Sequence, residues 1–558
     1  MLVASWCSLN IEESFAAARR LQQGGQLTAA EAGYRRILDV APDQAEVHYN
    51  LGIVLRDLGR FSEAAMSYAQ ALKAQPRFPQ AANNLGVMLE RMSRMDEAEH
   101  WLREAGRMDP ASAEVWNNLG GVLKDLARFD EAVECYDRAI ALQPGNPRLD
   151  SNRIFALHYG PADDPAVLLG AAQEWGRRFA DPLAVAVRDG ERPSGRRLRI
   201  GYLSAYFREH CQALFTVPLL AHHDHAAFEI FCYSDVTAPD AFTGRLRAGA
   251  DVWRDTARLG DAEVAALIRS DQIDVLVDLT IHMAHDRLLV FARKPAPVQV
   301  TWLGYPGTSG LKAMDWRLTD AWLDPTAAAD ACYVERSHRL DGSFWCYDPL
   351  TDQPPVNPLP ALAGGPFTFG CLNNYCKVTD LTLELWTQVL QAVPGSRLLM
   401  LAPRGSARER VRERLGVAAG LVDFAAYQPR AAYLELYHQI DLGLDTFPYN
   451  GHTTSLDSLW MGVPVVSRTG RTAVSRAGLS LLANLGLGEL ATPSPAEFVR
   501  IATTLAGDPG RLAALRGGLR GRMEKSPLMN AARFTRNLEQ AYREMWSART
   551  PDVSPPRP

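Results

Sequence analysis

Four prolines near the amino terminus fall at one fixed interval. Pro42, Pro76, Pro110 and Pro144 are 34 residues apart, and Ala30, Ala64, Ala98 and Ala132 keep the same step. So do the pairs Leu51-Gly52, Leu85-Gly86 and Leu119-Gly120, while Tyr34, Tyr68 and Tyr136 share one position that Leu102 fills in the third unit. Register held at so many positions means a structural repeat. Each unit can bury its apolar face only against its neighbours, so the units must stack into a curved array. Glycine and alanine allow close helix contact, and the proline stops the second helix of each unit.

The spacing matches the tetratricopeptide pattern of two antiparallel helices per repeat, which predicts four repeats over residues 11–144. Such arrays are binding surfaces, and this part alone predicts a protein or peptide partner and no chemistry. Asn50, Asn84 and Asn118 precede the Leu-Gly pairs at the same step. Two readings stand side by side. Either they line the concave face and bond an extended peptide, or they bond neighbouring repeats.

Beyond Gly145 the period fades. The helical piece AVLLGAAQEWGRRFA leads to the polar stretch DGERPSGRR, so residues 145–195 read as a helical linker. The 558 residues leave room for further domains. A net charge of −5 offers no nucleic-acid footprint, and the longest apolar runs, such as ALFTVPLLA from Ala213, are too short to cross a membrane. The amino terminus lacks a basic region followed by a long apolar core, so no secretory signal is expected. Eight scattered cysteines without a C-x-x-C pair support neither a disulfide framework nor a zinc site. The expected compartment is the reducing cytoplasm.

After the linker, strands alternate with helices, which predicts two parallel-sheet α/β lobes. RLRIGYLSAY, FEIFCYS, IDVLVDL and VQVTWLG are strand candidates of a lobe over 196–355; FTFGCLN, SRLLMLA, LVDFAAY, IDLGLDT and VPVVS belong to a lobe over 366–547. The Pro- and Gly-rich stretch 346–366 divides them. Ligands of such sheets bind at the carboxyl ends of the strands. His210, His282, the segment WLGYPGTSG (Trp302–Gly310), Lys377 and the stretch DTFPYNGHTTSLDSLWMG (Asp445–Gly462) all follow strand candidates. His222, His223, Asp224 and His225 resemble a metal cluster, but adjacent residues cannot converge on one ion, so they read as a surface turn.

In DTFPYNGHTTSLDSLWMG a short helix opens at Thr453, directly after a strand. A helix head carries unpaired N–H groups and partial positive charge, Gly451 permits close approach, and Thr453 and Thr454 add hydroxyls. The arrangement suits a phosphate. An ordinary capped helix is the competing reading.

With the repeats, the two lobes, WLGYPGTSG, the preceding FARKPAPVQV and DTFPYNGHTTSLDSLWMGVPVV in place, the chain resembles the O-linked N-acetylglucosamine transferases in a short bacterial-type form. That resemblance implies the GT-B fold with two Rossmann-like lobes, UDP-N-acetylglucosamine as donor, and inverting transfer to Ser or Thr hydroxyls of proteins. It implies that His452, Thr453 and Thr454 cradle the pyrophosphate, Asp457 takes the ribose hydroxyls, and Lys377 contacts the diphosphate. It also implies that Asn374 lies near the diphosphate, that Gln428, Arg430 and Tyr433 fall where uracil is gripped, and that Gly304, Tyr305, Pro306 and Gly307 wall the sugar. His210 aligns with the residue proposed as general base, or it positions the donor while another group takes the proton. No D-x-D occurs in the sequence, so a metal-independent reaction with no cofactor is expected.

Some residues depart from the family pattern. Tyr206 stands where Asp is common, Leu214 where some members have a second histidine, and Ile281-His282-Met283 replaces Gly-His-Thr, with His285 and Asp286 after it. These cluster in the first lobe, on the sugar and acceptor sides. The alternatives are a UDP-binding repeat scaffold without transfer, and a nucleotide-sugar epimerase or hydrolase of the same architecture.

Overall fold

The computed structural model describes residues 10–185 and 195–549. They fall into two units, one reaching Leu149 and including Pro403–Arg410, the other holding the remainder from Asp150 onward.

The first unit pairs eight helices: α1 (Ile11–Gln23), α2 (Leu27–Val40), α3 (Ala45–Asp57), α4 (Phe61–Ala74), α5 (Pro79–Arg91), α6 (Met95–Met108), α7 (Ala113–Asp125) and α8 (Phe129–Leu142). The repeated glycine and aromatic form one device. A Cβ on Gly52 would lie 2.6 Å from the Tyr68 ring, and one on Gly120 would lie 2.9 Å from the Tyr136 ring. In the third repeat, Gly86 makes the same room for Leu102. Each ring therefore seats on the bare backbone of its partner helix.

A second 34-residue series lies in the turns inside the repeats. Gly25, Gly59, Ser93 and Ala127 all have left-handed backbone, with φ of 73, 77, 58 and 57°. Ser93 and Ala127 carry a Cβ in a conformation that disfavours one. Ser93→Gly and Ala127→Gly should each stabilise by about 1 kcal/mol, seen as roughly fivefold slower amide exchange in α5 to α8.

The repeats are also joined by ions. Arg35 and Arg60 both bridge Glu31 and Glu63. The same four-member network recurs two repeats later, where Arg103 and Arg128 bridge Glu99 and Glu131. At the intervening junction Ala65 and Ala69 hold the positions of Glu31 and Arg35, and the Arg94–Glu97 pair remains. Among the three asparagines, Asn118 Nδ2 donates to Asn83 Oδ1 at 2.9 Å, and Asn84 Nδ2 reaches Tyr49 at 3.5 Å. These two bond the preceding repeat. Asn50 bonds the Glu46 carbonyl of its own helix at 2.8 Å.

The second unit holds two parallel sheets. The first contains β1 (Leu198–Ser204), β2 (Phe228–Ser234), β3 (Val252–Asp255), β4 (Val275–Asp278), β5 (Val298–Thr301), β6 (Trp316–Thr319) and β7 (Arg336–Arg339), in the order β3-β2-β1-β4-β5-β6-β7. The second contains β8 (Thr368–Cys371), β9 (Arg397–Leu401), β10 (Val422–Ala425), β11 (Leu442–Leu444), β12 (Val465–Arg468) and β13 (Ala491–Thr492), in the order β10-β9-β8-β11-β12-β13. Both orders reverse beside their first strand, β1 against β4 and β8 against β11. A crevice opens at such a reversal. His210, His282, Lys377 and the 445–453 loop follow these four strands.

Two features add to the sequence reading. The stretch before β1 joins the first lobe's core: Ile154, Trp175 and Ala180 pack with Leu203, Phe231, Val264 and Leu276. Helix Pro165–Trp175 lies so close that a Cβ on Gly310 would be 2.0 Å from the Ala172 carbonyl oxygen. Residues 189–194 of the polar stretch DGERPSGRR lie outside the described residues. The last helix, Ala531–Ser547, returns to the first lobe, where Glu539 accepts from the Asp224 amide at 2.8 Å and meets His223 Nδ1 at 2.9 Å. The histidine cluster is thereby split. His225 faces Asp251 and His222 faces the Pro218 carbonyl.

Candidate functional site

Beyond β11 the chain turns sharply before helix Thr453–Trp460. Asp445 braces that turn, its carboxylate accepting from the amides of Gly451 at 2.7 Å and Thr446 at 2.9 Å and from the Ser467 hydroxyl at 2.7 Å. Gly451 therefore gives its N–H to the protein. A Cβ there would collide with Ser455 Oγ at 2.1 Å, so its bareness serves packing rather than approach by a ligand. The helix head itself is left open, since His452 makes no side-chain capping bond.

Lys377, beyond β8, reaches this head. Its ammonium donates to the Asn450 carbonyl at 2.8 Å and lies 4.1 Å from the centre of the Tyr449 ring. No carboxylate among the described residues pairs with it at ion-pair distance. Burial lowers its pKa to about 8, an effect opposed by Cys376, Asp445 and Cys211. His452 lies against Trp345 and Tyr449, and its buried Nε2 has no hydrogen-bond partner. Burial, with Lys377 nearby, drives its pKa well below the ordinary value, so the ring is neutral. Thr454 donates to Asn373 Oδ1, and Thr453 lies beside Cys211 of the first lobe. One ammonium, an uncapped helix head and two threonines thus converge. Asn374 is exposed beside this group, and the buried neighbour Asn373 makes the internal bonds.

One turn into the helix, Asp457 is 2% exposed and already engaged. Arg430 holds it through two bonds of 2.8 and 3.1 Å, and Tyr347 donates to it at 2.6 Å. As placed, it anchors Arg430 instead of offering a free carboxylate. Arg430 Nε is buried without a partner. Tyr433 bonds the Tyr437 hydroxyl at 2.8 Å, and Tyr437 donates to the Thr454 carbonyl at 2.9 Å. Gln428 is half-buried near the start of that segment.

In the first lobe, His210 stacks on Tyr206 with ring centres 4.2 Å apart, and Tyr206 donates to the Ala284 carbonyl at 2.7 Å. Burial, with Arg208 adding to it, lowers the His210 pKa to about 4. The Gln212 amide donates to its Nδ1 at 3.3 Å, which puts the proton of the neutral ring on Nε2. In this arrangement the free edge of His210 is a donor.

Two sequence expectations are corrected. His282 is fully buried, with Nδ1 at 3.0 Å from Ser151 Oγ and Nε2 at 2.9 Å from the Ser309 carbonyl. Burial lowers its pKa to about 3. Both nitrogens are satisfied inside the lobe, so it does not face the crevice. Tyr305 likewise turns inward, against Phe155 and His158, while Pro306 and Gly307 are buried. The space a Cβ would need at Gly304 is filled by the Thr280 carbonyl at 2.7 Å. These glycines admit a neighbouring loop. The sequence also passed over Asp445, Asn373, Asn450 and Tyr449, which hold the phosphate-suited residues in place; a buried Asp between a strand and a Gly-containing turn was the available signal.

Residues 184–350 and 361–538 match the profile of glycosyl transferase family 41, and residues 15–70, 53–112 and 113–146 match tetratricopeptide repeat profiles. Residues 147–183 fall outside all of these matches. The probable UDP-N-acetylglucosamine–peptide N-acetylglucosaminyltransferase SPINDLY of Oryza sativa subsp. japonica is 38% identical over 428 residues, covering 74% of this chain and 46% of that protein. The Solanum lycopersicum protein of the same name is 39% identical over 419 residues, covering 73% and 45%. The chain thus spans about half the length of the curated relatives it matches. A solved mutant of the Thermobaculum terrenum O-GlcNAc transferase superposes with a TM-score of 0.81 at 35% identity, covering 98% of both chains.

Proposed function

The chain belongs to glycosyltransferase family 41, and from that premise we propose that it transfers N-acetylglucosamine from UDP-N-acetylglucosamine to Ser or Thr hydroxyls of proteins. The observation that carries this reading is the Lys377 ammonium, unpaired with any carboxylate among the described residues and set at an uncapped helix head beside the orphan Nε2 of His452.

In the reaction the acceptor oxygen bonds the anomeric carbon as the bond from that carbon to the diphosphate breaks, so configuration inverts. The electron pair leaves with UDP, and negative charge grows on the β-phosphate. Lys377, the amides at the start of helix Thr453–Trp460 and the Thr453 hydroxyl stabilise that charge more as it builds, which lowers the barrier, while Thr454 spends its proton on Asn373. Low local polarity strengthens each of these contacts. Asp457 holds Arg430 toward the nucleoside end. His210 Nε2–H supports a positioning role, in which it donates to the sugar or phosphate and the acceptor proton leaves by another route. The base role requires the Gln212 bond to break so that the ring can change tautomer.

The repeats supply the acceptor-binding surface in this proposal, and the seven cysteines among the described residues form no disulfide, which suits a reducing cytoplasm. Because the ammonium and amides do the work of a metal at the leaving group, transfer should persist at full rate in EDTA.

Incubation with labelled UDP-N-acetylglucosamine and a host lysate tests the reading. Label on protein supports it. A converted free sugar favours an epimerase or hydrolase, and UDP binding without turnover favours a scaffold. The first-lobe departures at Tyr206 and Asp286 make a panel of other UDP-sugars the natural control.

A further inference from the structure

Residues 150–183 lie between the repeat matches and the family match, yet one loop of this stretch reaches the phosphate-suited end of the site twice. Tyr159 stacks on Tyr449 with ring centres 4.7 Å apart and planes 15° apart. Tyr449 also contacts Lys377 and His452. Four residues on, Asp163 takes left-handed backbone, with φ of 41°, and lays its carboxylate over the turn at Gly470. That carboxylate accepts from the amides of Arg471 at 2.6 Å and Thr472 at 3.1 Å, and from the hydroxyls of Thr472 at 2.6 Å and Ser475 at 2.9 Å. The pinned turn presents the Val474 carbonyl, which accepts from the Asn450 amide at 3.1 Å and lies beside the His452 ring. Asn450 in turn gives its carbonyl to Lys377 and takes the Gly478 amide on its Oδ1.

We propose that Tyr159 and Asp163 are positioning residues for the leaving-group end of the site, Tyr159 by fixing the Tyr449 ring and Asp163 by fixing the turn that holds Asn450 and His452. The proposal rests on the reading that Lys377 and His452 serve the diphosphate. Simple packing would also place an aromatic ring at residue 159. It does not account for a carboxylate that gathers four donors from the one turn that bonds Asn450 and lies beside His452, at a position with strained backbone. Two tethers of different chemistry converge on the same four residues, 449–452. A misplacement of about 1 Å there is costly, because charge stabilisation depends on fixed geometry.

The test uses the full chain and needs no donor. Lys377 is acylated with an amine-reactive ester across a range of pH and its labelling is read by mass spectrometry. The groups facing it are Asp445, Cys211, Cys371, Cys376 and His452, together with the Tyr449 ring. Half-labelling is expected at pH about 8 in the unaltered protein. In Tyr159→Ala, and in the gentler Asp163→Asn, the midpoint should rise by about one pH unit toward the value of about 10.4 for free lysine, as water enters. Tyr159→Phe keeps the ring and should restore the original midpoint. Buried Lys294, which pairs with Asp315 in the first lobe, is the internal control and should not move. An unchanged Lys377 midpoint in both disruptive variants overturns the proposal. So does a parallel shift at Lys294, which would mean the segment only holds the lobe together. In transfer assays Tyr159→Ala should lower kcat about tenfold with the acceptor KM unchanged. If Lys377→Ala leaves transfer intact, the leaving-group role of Lys377 fails while the labelling result still stands.

Discussion

Replacing Lys377 with alanine should lower kcat for sugar transfer by about three orders of magnitude and leave the fold in place. The loss is large because the ammonium acts where charge develops, in a site with little water to replace it. The fold survives because Lys377 spends only one bond on the protein, to the Asn450 carbonyl, and anchors no carboxylate. The effect should fall on kcat more than on KM, since the β-phosphate gains charge only as the bond breaks. The pH profile gives a second handle. Burial holds the Lys377 pKa at about 8, below that of an ordinary lysine. The ammonium is therefore complete at lower pH and is lost as pH rises through about 8, so kcat/KM should fall on the alkaline side of that value. Lys377→Arg should keep its charge at high pH and flatten that limb while losing rate to the changed shape. Near-normal transfer in the alanine variant would refute the leaving-group role.

The second large effect is expected at Asp457. This carboxylate is 2% exposed and holds both Arg430 and the Tyr347 hydroxyl. Asp457→Ala strands a largely buried guanidinium whose Nε already lacks a partner. Removing one member of such a pair costs about 3–5 kcal/mol, whereas replacing both by apolar groups costs much less. Asp457→Ala should therefore lower the thermal midpoint of the second unit and abolish UDP binding by calorimetry. The double variant Asp457→Leu with Arg430→Met should recover most of the stability and none of the binding. If binding survives in the double variant, Arg430 has no part in holding the nucleoside.

The repeats were legible because solenoid packing forces the same residue types to return at a fixed step. Gly52 and Tyr68 must recur together, since each ring needs a bare backbone opposite. Most of the strands that sequence revealed are buried, β10 being the exception. It missed the two-residue β13, and β3, β6 and β7, which are short and carry charge. β6 reads Trp-Arg-Leu-Thr, and its Arg317 is buried only because Asp324 pairs with it at 2.8 Å and Tyr333 stacks on it. Such compensation comes from residues beyond the strand itself, in the loop that follows it, so the strand's own pattern does not announce it. The same limit explains the reversals at His282, Tyr305 and Gly451. Each sits on a loop at a strand end, where a ligand-facing role is the natural expectation. His282 and Tyr305 are instead consumed by neighbours that only the tertiary fold supplies, Ser151 and Ser309 for the first, His158 and Phe155 for the second, whereas Gly451 is taken up within its own turn by Asp445 and Ser455. Tyr159 and Asp163 were invisible for a related reason, since their partners lie some 300 residues further along the chain.

The ionic ties of the helical array alternate, and the alternation gives it a grain. Two couples of repeats are each laced by two arginines and two glutamates, and they meet across Ala65 and Ala69 with no such lacing. Under mild denaturant or pull, the seam between α4 and α5 should part first, and each couple should leave whole. The working grain of the array is thus 68 residues rather than 34, a pair of hinged blocks rather than four equal beads.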